Sequence, residues 1–83
     1  MNYLENSRDL VVINVVHGEP VVAHHRDNYM AALNLAVQIA MEQLSEDSFT
    51  TADMVREELK EDNNWYDSTE DAKVYIMSLE RPH

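Results

Sequence analysis

The sequence predicts an α+β fold, an N-terminal β-hairpin packed on three helices in the order ββααα. Three observations predict it. A β-branched run, LVVINVV, fills Leu10 to Val16. The chain's one Gly and the first of its two Pro follow at once, in His17-Gly18-Glu19-Pro20. From Tyr29 onward, apolar residues recur at helical spacing, with no Gly or Pro before Pro82.

Leu10 to Val16 is too short for a helix, and its β-branched residues suit a pleated surface. His17 to Pro20 reads as a four-residue connection, because Gly tolerates backbone angles that other residues resist and Pro presets its own. Val21 to His25 then forms a shorter strand, completing a hairpin. Asp27 or Asn28 can cap the next helix, since either side chain accepts from an unpaired backbone N–H. That helix runs from Tyr29 to about Leu44, with Met30, Leu33, Val37, Met41 and Leu44 on one stripe. Ala32, Leu35, Ala36 and Ile39 form a second apolar patch. Such a helix is either sandwiched within the fold or shared with a second copy through a self-association face at those four residues.

Ser45 to Phe49 is a connection. Thr50-Thr51-Ala52-Asp53 matches a capping box, which starts a helix running to about Glu61 with Ala52, Val55 and Leu59 inward. Asp62 to Asp67, DNNWYD, is a turn-rich break carrying the one Trp. Ser68-Thr69-Glu70-Asp71 is a second capping box. Ala72, Tyr75, Ile76 and Leu79 follow at i, i+3, i+4 and i+7, and Pro82 is a stop signal. A strand over Lys73 to Leu79 competes, because Val74, Tyr75 and Ile76 favour strands. The alternative order is therefore ββααβ, with a C-terminal third strand.

At 83 residues the chain is one compact domain, 1–83, with residues 1–8 expected to fray. A 45% apolar composition argues against disorder. The absence of Cys removes disulfides, thiolate metal sites and a Cys nucleophile. A small domain without such staples points to a cytoplasmic setting. The polar N-terminal residues do not form a signal peptide, and no apolar run approaches a membrane span.

Charge is the informative feature. The net charge is −10. Residues 42–71 hold eleven acids against Arg56 and Lys60, leaving −9 on that segment. Some of these acids suit helix N-termini, and the plainest account is a solvated surface. The functional account is an acidic docking face formed by Glu46, Asp47, Asp53, Glu57, Glu58, Glu61, Asp62, Asp67, Glu70 and Asp71. Carboxylates spaced along a helix and turn can imitate phosphates and occupy a Lys/Arg-lined groove that otherwise holds nucleic acid. Trp65 and Tyr66 would be its aromatic anchors if exposed, and would seal a helix junction if folded inward.

The residues offer little catalytic equipment. His24 and His25 are adjacent, so on a strand they face opposite ways. His25 lies near Asp27 without a third ligand in the local sequence. Asp62-Asn63-Asn64 resembles the start of a calcium loop, but Asp67 and Lys73 stand where that loop needs Gly and Glu. No phosphate-binding glycine loop or nucleophile elbow is present, and no helix carries a basic face. The expectation is a non-enzymatic inhibitor or modulator without cofactor or metal. Its partner would be a basic, nucleic-acid-binding protein, with no direct contact to nucleic acid or membrane. The alternative is a structural or regulatory homo-oligomer built on the helix at 28–44. In composition alone, the chain is of a kind common among phage-encoded proteins that block host or defence machinery.

Overall fold

A computed structural model describes residues 3–79. They form a short 3-10 turn (Tyr3–Asn6), β1 (Leu10–Val16), β2 (Glu19–Arg26), α1 (Tyr29–Gln43), α2 (Ala52–Asp62), β3 (Asn64–Asp67) and β4 (Ala72–Ser78). The fold is α+β, with a four-stranded antiparallel sheet in the order β2-β1-β4-β3 and two helices among the described residues. This corrects the three-helix layout. The competing order with a C-terminal strand is nearer, and β3 is an addition to it.

The correction at 72–78 has a clear cause. Ala72, Val74 and Ile76 are buried while Lys73 and Met77 are exposed, so burial alternates with the two-residue period of a strand. Residues 68–71 form a turn rather than a capping box, with Asp71 at φ 49° and the Glu70 N–H donating to Asp67 Oδ2 at 3.0 Å. Pro82 lies outside the described residues.

The hairpin is tighter than expected. Val16 pairs with Glu19, leaving His17 (φ 53°) and Gly18 (φ 79°) as a two-residue turn. Positive φ at both positions is what a two-residue hairpin turn with the right strand twist demands. Pro20 sits inside β2, opposite Val15, and the register shifts between Asn14 and Val15 as a bulge. Pro is tolerated there because β2 is an edge strand.

Asn28 caps α1, accepting from the Ala31 N–H at 2.9 Å. The buried residues of α1 are Tyr29, Ala32, Leu33, Ala36, Val37 and Ala40, one continuous helical stripe. The self-association face is thereby revised. Ala32 and Ala36 are fully buried in the chain's own core, while Leu35 and Ile39 are partly buried against it. Met30, assigned to the inward stripe, is exposed. The cap of α2 falls one residue later than expected: Thr51 Oγ1 accepts from the Met54 N–H at 3.2 Å. Asp53 is therefore inside the first turn and Ala52 is exposed, leaving Val55 and Leu59 as the buried pair. Asn63, left-handed at φ 59°, ends α2, and its N–H reaches the Leu59 carbonyl at 2.8 Å. The chain turns straight into β3, so 64–67 is a strand and not a break.

Both helices cover one face of the sheet. The core runs from Leu4, Leu10 and Val12 through the α1 stripe to Val55, Leu59, Trp65, Ala72, Val74 and Ile76. Leu4 is fully buried and the Ser7 N–H donates to its carbonyl at 3.0 Å. Buried Asn14 on β1 donates to Gln43 Oε1 and to the Lys73 carbonyl, both at 3.0 Å, and accepts from Gln43 Nε2. This amide pair fixes the C-terminal end of α1 over the sheet.

Candidate functional site

The acidic segment of the sequence becomes one flank of the molecule. α2 packs on α1 and on β3, the edge strand farthest from β2. Val55 and Leu59 face inward, so Asp53, Glu57 and Glu61, at i, i+4 and i+8, form the outward ridge of α2. Glu58 and Asp62 form a parallel row beside it. Their repulsion has a local signature: partial desolvation and the neighbouring Asp62 charge hold Glu58 above its ordinary pKa of 4.5. Arg56 is partly committed within the fold, donating to Asn34 Oδ1 on α1 at 3.0 Å.

The acidic connection before α2 is braced. The Ser48 N–H donates to the Ser45 carbonyl at 3.1 Å, and the Thr50 N–H donates to Ser48 Oγ at 3.2 Å. These bonds hold Glu46 and Asp47 exposed, and they display Phe49, which is 96% exposed. Met54, in the first turn of α2, is 57% exposed. Phe49 and Met54 thus supply apolar points within the acidic flank.

The expected aromatic anchors divide. Trp65 is only 4% exposed and packs in the core, so it seals the fold and is no anchor. Tyr66 is 52% exposed on the opposite face of β3 and donates through its hydroxyl to Asp71 Oδ1 at 3.1 Å. That bond, before the Asp71 and Asp67 charges, holds its phenol above the ordinary value of 10.0. Asp67 and Asp71 are engaged in the β3–β4 turn, Asp71 also lying 3.7 Å from His17 Nδ1. Glu70 is partly buried in the same turn. The acids presented most directly are therefore Glu46, Asp47, Asp53, Glu57, Glu58, Glu61 and Asp62.

Phe49 was legible in principle. It is the one Phe of the chain, sits in a polar connection and fits the periodicity of neither helix. Such a residue has no core position to fill.

The histidines stand apart from this flank. His24 pairs with Val12 and His25 with Val11, on opposite faces of β2. His25 lies beside Asp9 through Nε2, and its Nδ1 is 3.8 Å from Asp27, all on an exposed edge. Among the described residues, no cluster of three or more His, Asp or Glu side chains is arranged to hold a metal ion. An open depression of about 410 Å³ lies near the start of α1, lined by Glu5, Asn28, Tyr29, Met30, Leu33 and Lys60. One acid and one base oppose each other there, so it selects no ligand charge. No helix among the described residues is long and apolar enough to cross a membrane. Compared with known proteins, the chain matches no family model, no curated protein and no solved structure.

Proposed function

We propose that this chain is a protein-binding module that docks its acidic α2 flank onto a basic surface of a partner protein. The observation that carries this reading is the exposed Phe49 held on a braced loop amid Glu46, Asp47 and the Asp53–Glu57–Glu61 ridge. Interfaces favour an apolar anchor ringed by polar groups that complement the partner. Successive ridge carboxylates lie about 6 Å apart, one helical turn, close to the spacing of phosphates along one nucleic-acid strand. A groove built for that strand would accept them, and occupying it would exclude the nucleic acid. The protein would then act as an inhibitor or modulator in the compartment where such partners work, the cytoplasm.

The test is capture from cell extract with the wild-type chain, with Phe49→Ala and with Asp53→Lys/Glu57→Lys/Glu61→Lys. The expected partner binds nucleic acid, is released by high salt or competing DNA or RNA, and is lost by both variants. Each reversed charge is worth roughly 1 kcal/mol, so the triple variant should weaken binding about a hundredfold or more. Capture of the same partner, undiminished by the charge reversals, would sink the proposal.

A further inference from the structure

We draw no further inference here: the strongest candidate, the sheet face turned away from the helices, where Val11 and Ile13 of β1 stand in register with Met77 and Tyr75 of β4, is flanked by Tyr66 and His25, which are engaged with Asp71 and with Asp9, and nothing in the structure shows what covers it.

Discussion

Replacing Asn14 by Leu should destabilise the fold through one identifiable contact. Asn14 is 3% exposed, on a strand otherwise built from Leu, Val and Ile, and its amide makes three hydrogen bonds. At about 1 kcal/mol net for each, their loss amounts to roughly 3 kcal/mol. The added apolar burial offsets part of this, and the half-buried Gln43 amide can turn toward water. The expected cost is about 2 kcal/mol, which lowers Tm by roughly 8–16 °C in a domain of this size. Gln43→Leu alone should cost about 2 kcal/mol, since both bonds to Asn14 are lost and its buried Oδ1 is left without a partner, while Asn14 keeps its bond to the Lys73 carbonyl. The double variant should cost clearly less than the two added together, with a coupling of about 1 kcal/mol or more. Urea melts of the four proteins, followed by circular dichroism, give all three numbers. Strict additivity, or an Asn14→Leu protein as stable as wild type, would refute the reasoning. Because Gln43 closes α1 just before the loop that displays Phe49, the same substitution should also loosen the acidic loop.

Two further outcomes follow from local geometry. Glu58 has a raised pKa, so the folded chain holds a proton that the unfolded chain has already lost; stability therefore falls as pH rises from the ordinary value of 4.5 through the raised one. Glu58→Gln should be slightly more stable than wild type at pH 7, with the gap closing below about pH 4 in a series of thermal melts; a gap independent of pH would contradict this. His17 holds φ 53° in the hairpin turn, a conformation Asn adopts more readily, so His17→Asn should stabilise by roughly 0.5–1 kcal/mol, read as a higher Tm. The lost approach to Asp71 at 3.7 Å is solvent-exposed and offsets little.

What the sequence disclosed depended on how many patterns each segment satisfied. Leu10–Val16 satisfied one, and so did the long stripe of α1; both elements stand where their residues predict. The segment 72–79 satisfied two. Ala72 and Ile76 belong both to a helical stripe and to a strand alternation, and eight residues are too few to separate the periods. The arbiter is β1, which pairs with 72–78 from the far end of the chain, and no local pattern reports such a partner. The Thr50–Asp53 box failed by one residue because Thr50 and Thr51 are both competent caps. DNNWYD concealed a strand because Asn63 takes a left-handed conformation that reverses the chain within one residue. The site divided in the same way. Charge clustered in sequence stays clustered on one flank, because α2 and β3 are consecutive and adjacent. The burial of Trp65 beside the exposure of Tyr66 depends on which face of β3 meets α2, a consequence of register rather than composition.

The position of β1 at the centre of the sheet governs when the protein can come into being. Its neighbours are β2, the next strand made, and β4, the last described, with Leu10 facing Ser78 across the ladder. During synthesis the hairpin and α1 emerge early but have no complete layer to rest on until residues 72–78 leave the ribosome. Folding should therefore be limited by closure of this long loop, which is slow for pairings so distant in sequence. Until β4 arrives, one side of the LVVINVV strand has no partner, and a chaperone that recognises exposed aliphatic strands would meet the nascent chain there first.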